Sequence, residues 1–197
     1  MRFVWFLLMV LGVQATAHAQ GKVSPLTTLP PDIQLKGQLI KGVSWQDQAG
    51  LNYFILAETA EAPSPGGDPD YREKFLYAWH YVRRADSLLL RRSITDFTKE
   101  CPVDLSVNHI PESLTITDLD GDKLAEITFL YTIGCAGDVS PHTLKLMMLE
   151  DGAKYAIRGT TVMDGYPAEK NPDTALKAAP AVFQQYADKR WEIFSRQ

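Results

Sequence analysis

The sequence predicts a mainly β protein: an antiparallel meander of about eight strands with an amphipathic helix at its C-terminal end. Three observations support this fold class. Over residues 73–84 aromatic and smaller apolar side chains alternate with period two, as they do along a strand. Asp151 and Gly152, a strong turn dipeptide, separate two further strand-like runs. After Pro172 the apolar spacing lengthens to three or four residues, which indicates a helix.

The predicted strands follow one another in hairpins, each bounded by glycine, proline or a polar turn. They cover residues 38–45, 51–58, 73–84, 88–97, 113–117, 126–133, 143–150 and 154–161. A segment rich in proline and glycine at 63–70 and the stretch 102–111 are predicted to be loops. We expect the strands to form two four-stranded units, which face each other as a sandwich, pack in a propeller-like way or merge into one sheet.

The C-terminal helix is predicted over about 173–195, where Asp173 provides an N-cap for the first turn. Leu176, Phe183 and Phe194 recur at a spacing that places them on one helix face. Pro180 lies inside this pattern, and proline lacks the N–H that the helix ladder needs. We therefore expect a kink at Pro180 or a new helix that begins near it, with the apolar face packed on a sheet.

The N-terminal residues 1–19 are typical of a secretory signal peptide, because a basic Arg2 and an apolar run precede Ala17 and Ala19 at a cleavage site. Residues 20–36 are predicted to be an extended lead-in, and 37–197 a single β-rich domain. No later apolar run reaches the roughly 20 residues of a transmembrane helix, so none is expected after cleavage. The sequence thus predicts export to the periplasm or the extracellular space.

Charge and cysteine content narrow the function further. The net charge is −4 without a basic block, which argues against nucleic acid as a partner. Cys101 and Cys135 are the only cysteines, and in an oxidising compartment such a pair is most simply a disulfide. A metal pair or a reactive thiol has no local support, since there is no CxxC motif and no neighbouring histidine at ligand spacing.

The most specific chemical signal is an acidic loop that precedes the strand at 126–133. Carboxylates stand at its first, third, fifth and ninth positions, and a main-chain carbonyl is expected as the seventh ligand: Asp118, Asp120, Asp122, Glu126 and Leu124. Oxygen ligands at alternate positions suit calcium. The loop resembles the DxDGDGxxD calcium loops of propeller and FG-GAP-type repeats, except that Lys123 replaces the usual sixth-position glycine. A solvated acidic turn without metal is the alternative, and we expect the loop to lie beside the disulfide.

Two further sets of residues are candidates for ligand binding. The first is an aromatic ladder on one face of a strand, which is typical of a core face and can also stack on sugar rings: Phe75, Tyr77, Trp79 and Tyr81. The second is Asp138 and His142 in one loop. The sequence contains no G-x-S-x-G elbow or phosphate loop, and no catalytic residues are assigned. A hydrolase would use Asp138, His142 or His109.

The stretch 118–159 resembles a family of uncharacterised exported bacterial proteins. Shared features are the D-x-D loop, an E-x-x-F-x-Y strand from Glu126, Cys135, a DVSP segment and a K-Y-A-x-R-G strand from Lys154. The family is sometimes labelled with surface polysaccharide biosynthesis, so the resemblance implies a role at the cell surface.

The first function hypothesis is a non-enzymatic envelope or secreted protein that binds a glycan or a protein, with calcium and one disulfide stabilising its loops. The alternative is an enzyme of cell-surface polysaccharide metabolism. The enzyme hypothesis requires a concave pocket that gathers Asp138, His142 and an acidic partner.

Overall fold

The structure, a computed structural model, describes residues 22–196; the predicted signal peptide at 1–19 lies outside them. The described chain is mainly β, as predicted. Its strands are β1 (Ser24–Pro25), β2 (Gln38–Asp47), β3 (Gly50–Glu58), β4 (Ala62–Pro63), β5 (Arg72–Arg84), β6 (Ser87–Cys101), β7 (Leu105–His109), β8 (Thr115–Thr117), β9 (Glu126–Cys135), β10 (Thr143–Glu150), β11 (Ala153–Thr160) and β12 (Lys170–Pro172). Two C-terminal helices follow, α1 (Thr174–Ala178) and α2 (Ala181–Phe194).

The strands form two antiparallel sheets of six strands each. Sheet A has the order β1-β2-β3-β5-β6, and β4 also pairs with β5. Sheet B has the order β12-β11-β10-β9, and both β7 and β8 pair with the free edge of β9. Sheet A precedes sheet B along the chain, so the two predicted meanders are present and each forms its own sheet.

The main core lies between the two sheets, as in a β-sandwich. Phe54 of β3 contacts Phe129 of β9 across it, with ring centroids 5.2 Å apart. Large side chains that are fully shielded from solvent line both inner faces: Trp45, Phe54, Leu56, Leu76, Ile127, Phe129 and Tyr131. Burial of such side chains contributes about 1.5–3 kcal/mol each, so this layer is the main source of stability.

The helices cover the outer face of sheet B. Phe183, Ala187 and Trp191 of α2 are buried against apolar side chains of β9, β10 and β11. Asp173 caps α1 by accepting a hydrogen bond from the Leu176 amide at 2.8 Å. The break expected at Pro180 is found there, since α1 ends before it and Pro180 is the N-cap of α2.

The lead-in differs from the expectation of an unpacked segment. Ile33 is buried on the outer face of sheet A, where it contacts the cluster that contains Tyr53, Ile55 and Trp79. Ser24 pairs with Ser44 of β2 and so adds a short strand to the sheet. The three prolines of this segment exclude long regular structure, but its apolar side chains still cover part of the sheet.

Four strands were missed. Three of them, β1, β4 and β12, are only two or three residues long, and the fourth, β7, lies inside the predicted loop at 102–111. Its side chains alternate, and Val107 is fully buried in the main core. The strand is only five residues long and follows a proline, so local signals favoured a loop. Pairing with β9 stabilises it instead.

The Cys101–Cys135 disulfide is present and joins the last residue of β6 in sheet A to the last residue of β9 in sheet B. The acidic loop precedes the first residue of β9, so the expected position beside the disulfide is wrong. A ten-residue strand separates the two features, which corresponds to about 30 Å. Among residues 22–196, no helix has the length and apolar character that crossing a membrane requires.

Candidate metal site

The acidic loop is held in its shape by its own carboxylates. Asp118 Oδ1 accepts a hydrogen bond from the Gly121 amide at 2.9 Å, and Asp122 Oδ1 accepts one from the Leu124 amide at 2.7 Å. Asp120 Oδ1 accepts a third from the Asp122 amide at 3.2 Å. Each bond folds the chain back within two or three residues. The turns therefore place the three aspartates close together before β9 begins.

Lys123 adopts the left-handed conformation that glycine would tolerate freely, with φ of +73°. The expected cost for a residue with a side chain is about 1–2 kcal/mol. A contact with the other sheet offsets part of it, because the Lys123 carbonyl accepts a hydrogen bond from the Gln48 amide at 3.1 Å. Lys123 at the sixth position therefore adopts the backbone conformation that glycine would adopt there.

Glu126 is the buried member of the site. Its side chain is fully shielded from solvent, and Oε2 accepts hydrogen bonds from Thr117 Oγ1 and the Leu119 amide, both at 2.9 Å. Oε1 has no hydrogen-bond partner among the described residues. Burial raises the pKa of Glu126 to about 8, although both hydrogen bonds act in the opposite direction. A buried carboxylate with an unpaired oxygen is costly unless it binds a proton or a cation.

The carboxylates converge in two overlapping groups. Asp118, Asp120 and Glu126 form the first, and Asp120, Asp122 and Glu150 form the second. Within each group, one oxygen per residue lies within 4.8 Å of the others. Calcium binds oxygen at about 2.3–2.6 Å, so two ligands on opposite sides of an ion stand about 4.6–5.2 Å apart. The spacing within each group is therefore compatible with one hard cation.

Glu150 was not predicted as part of this site, and strand register explains its position. Ile127 of β9 pairs with Leu149 of β10, so Glu150 stands opposite Glu126 one step further along the same register. Burial, together with the charges of Asp120 and Asp122, raises the pKa of Glu150 to about 7. The start of β9 and both ends of β10 were predicted correctly, so counting back along the hairpin would have placed the two glutamates together.

No salt bridge among residues 22–196 involves any of the five carboxylates. Like charges directly opposite each other in a sheet are destabilising, and Glu126 faces Glu150 in this way. Acidic groups that could hold a metal ion are thus present at all four predicted carboxylate side chains and at Glu150. The Leu124 carbonyl stays a predicted ligand.

The aromatic ladder lies on the outer face of sheet A. Leu76 and Ala78, which alternate with it, point into the main core between the sheets, so the ladder packs in a smaller apolar cluster on the outer face instead. Trp79 is buried in the smaller outer cluster, and Tyr77 and Tyr81 pack against it. Neighbouring rings stack with centroids 5.9 Å apart for Phe75 and Tyr77 and 5.4 Å apart for Tyr77 and Trp79.

The open end of this face is at Phe75 and Phe97. Their ring centroids are 5.6 Å apart, and Phe97 exposes 46% of its surface. The Lys99 ammonium lies 4.9 Å from the Phe75 centroid and 4.8 Å from the Phe97 centroid. A partly exposed aromatic surface beside a cation is therefore present at the edge of sheet A.

Among the described residues, no hydrogen bond or salt bridge joins Asp138 to His142. Asp138 is exposed, whereas His142 Nδ1 lies 3.3 Å from Ser106 Oγ. His109 is largely buried, and burial lowers its pKa to about 4. None of these three residues belongs to either carboxylate group. An enzyme of polysaccharide metabolism stays a prediction that these contacts do not favour.

Comparison with protein-family models, with curated proteins and with solved structures finds no match for this chain. The molecule is therefore defined by its fold and its site: an antiparallel two-sheet β protein with a disulfide between the sheets and a five-carboxylate cluster at the start of β9.

Proposed function

We propose that this protein is an exported, non-enzymatic binding protein of the cell envelope or the extracellular space, and that one calcium ion stabilises its acidic loop. The observation that carries the calcium proposal is the buried Glu126 carboxylate. Its unpaired Oε1 belongs to a side chain that groups with Asp118 and Asp120 within 4.8 Å. Calcium supplies the missing positive partner and takes only oxygen ligands, which is what this site offers.

Export is supported by three independent features. Residues 1–19 have the sequence of a signal peptide. A disulfide joins the sheets, and disulfides persist in oxidising compartments. The stretch 118–159 resembles exported bacterial proteins that are sometimes labelled with surface polysaccharide biosynthesis. Together these features support a cell-surface role.

The partner in this proposal is a glycan or an envelope protein, and it contacts the outer face of sheet A. Phe97 and Phe75 offer apolar ring area, while Lys99 adds a positive charge beside them. Exposed aromatic rings bind sugar faces and also anchor protein interfaces. This open end of the ladder, rather than the buried Trp79, is the part that a partner can reach.

A glycan array probed with and without calcium tests this function. We expect binding that Phe97→Ser lowers by about tenfold, since loss of one anchor ring costs more than 1 kcal/mol. Ile193→Ser is the matched control, because Ile193 exposes 47% of its surface on α2 against 46% for Phe97. Binding that survives Phe97→Ser, or that Ile193→Ser weakens equally, contradicts the assignment to sheet A.

A further inference from the structure

A polar cleft of about 370 Å³ lies where β6, the edge strand of sheet A, passes over the inner face of sheet B. Four strands that are distant in sequence, β6, β9, β10 and β11, contribute its walls. Its ionisable lining consists of four cations and one carboxylate besides Tyr131: Arg92, Lys145, Lys154, Arg158 and Asp96. The cleft thus carries net positive charge in a protein whose net charge is −4.

Asp96 already uses both of its oxygens. Oδ2 accepts a hydrogen bond from the Tyr131 hydroxyl at 2.7 Å and lies 2.5 Å from Lys145 Nζ. Oδ1 accepts a bond from the Phe97 amide at 3.0 Å. Burial raises the pKa of Tyr131, so its hydroxyl stays protonated as a donor. Asp96 therefore compensates Lys145 and leaves the other three cations without a carboxylate.

The remaining cations are crowded together without compensation. Arg158 of β11 stands directly opposite Lys145 of β10, an arrangement that is destabilising for like charges. Among residues 22–196, no carboxylate forms a salt bridge with Arg92, Lys154 or Arg158. Arg92 donates through Nη2 to the Gly152 carbonyl, but its buried Nε has no partner. Unpaired donors of this kind point to an absent acceptor.

We propose that this cleft binds an oxyanion, the carboxylate or phosphate group of a small acidic ligand such as a sugar acid or a sugar phosphate. Guanidinium groups present forked donors that match carboxylate and phosphate oxygens, and a lysine adds a point charge. The volume lies within the usual range for small-molecule sites, roughly 300–1,000 Å³. The ligand supplies the negative charge that Arg92, Lys154 and Arg158 lack, so binding also stabilises the packing of β6 against sheet B.

The cleft is separate from the carboxylate cluster. Lys145 and Arg158 lie on the inner face of sheet B with Met147 and Ala156, whereas Glu126 and its neighbours alternate to the outer face. Anion binding therefore requires neither calcium nor the aromatic face of sheet A. Failure to bind an anion would leave the proposed function intact, and failure of the proposed function would leave the anion proposal intact.

Isothermal titration of the purified protein with inorganic phosphate, glucuronate and neutral glucose tests the proposal. We expect at least one of the two anions, phosphate or glucuronate, to bind and glucose not to bind. The double variant Lys154→Gln/Arg158→Gln is expected to weaken binding by about tenfold for each cation removed. Both side chains reach solvent, so the variant is expected to fold, and circular dichroism checks that it does.

The matched control is Lys177→Gln/Lys189→Gln, which removes the same charge from exposed positions on the helices. Binding that persists in this control and is lost in the cleft variant supports the proposal, and the tighter anion identifies the head group. Two results overturn it: neither anion binds at millimolar concentration, or both double variants bind equally well.

Discussion

The chemistry of single side chains in this protein depends on their burial and on their register in the sheet. Glu126 was predicted as a ligand from loop spacing alone, and the structure adds that burial leaves one of its oxygens unpaired. Glu150 completes the cluster through strand register rather than loop spacing. The candidate site was thus half predictable from the sequence: local spacing gives the loop, while the second glutamate requires the pairing of β9 with β10.

His80 allows a pH test at the residue scale. Burial lowers its pKa to about 4, with a smaller contribution from Arg91 that Asp47 opposes. The unfolded chain, with a histidine pKa near 6.5, binds the proton that the folded state excludes. The His80 contribution is therefore complete above about pH 6.5 and is lost as the pH falls toward 4.

Urea unfolding at pH 7 and pH 5 measures this effect. Between pH 7 and pH 5 we expect wild type to lose about 1–2 kcal/mol more unfolding free energy than His80→Gln. Only wild type has the histidine that binds a proton in the unfolded chain and excludes it in the folded state. Glutamine keeps a donor for Asn52 Oδ1, which lies 2.8 Å from His80 Nε2. His109 has a similar pKa and is unchanged in both proteins, so the difference isolates His80. Equal losses in the two proteins contradict the assignment.

The elements follow their sequence patterns where the pattern is long. The 13-residue β5 was predicted to within one residue. The 15-residue β6 was predicted to within one residue at its start but four residues short at its end, and the five-residue β7 was not predicted. The period-two alternation also identified the residues on each face of β5, but it did not indicate which face lies between the two sheets. The aromatic face is the outer one, and Leu76 and Ala78 lie between the sheets with residues of β9 such as Phe129. That choice depends on packing between distant strands.

The disulfide is the covalent link between elements of the two sheets. It closes a loop with a sequence separation of 34, for which the chain-entropy model gives about 3–4 kcal/mol of stabilisation. We expect Cys101→Ala/Cys135→Ala to lower the unfolding free energy by this amount in urea, and reduced wild type to show the same loss. A loss below about 1 kcal/mol in both would mean that the sheets hold together without the link.

At the scale of the whole molecule, two sheets enclose one core and leave opposite charges at different places. Carboxylates gather on the outer face of sheet B at the start of β9, and cations gather on its inner face beside β6. The sandwich class was predictable from strand count and turns. The cleft was not, because its residues come from four strands that meet only when the sheets pack. The calcium proposal concerns the first of these two places, the carboxylate cluster at the start of β9.

Thermal unfolding with calcium, magnesium or chelator tests that claim most directly. At a calcium concentration one hundred times the Kd, binding adds about 2.7 kcal/mol, which raises the Tm of a protein of this size by about 5–11 °C. Asp120 belongs to both carboxylate groups, so Asp120→Asn is expected to abolish the shift, whereas the exposed Asp70→Asn keeps it. We expect this calcium-dependent rise in wild type; a Tm that is identical in calcium and in chelator would mean that the cluster binds no calcium.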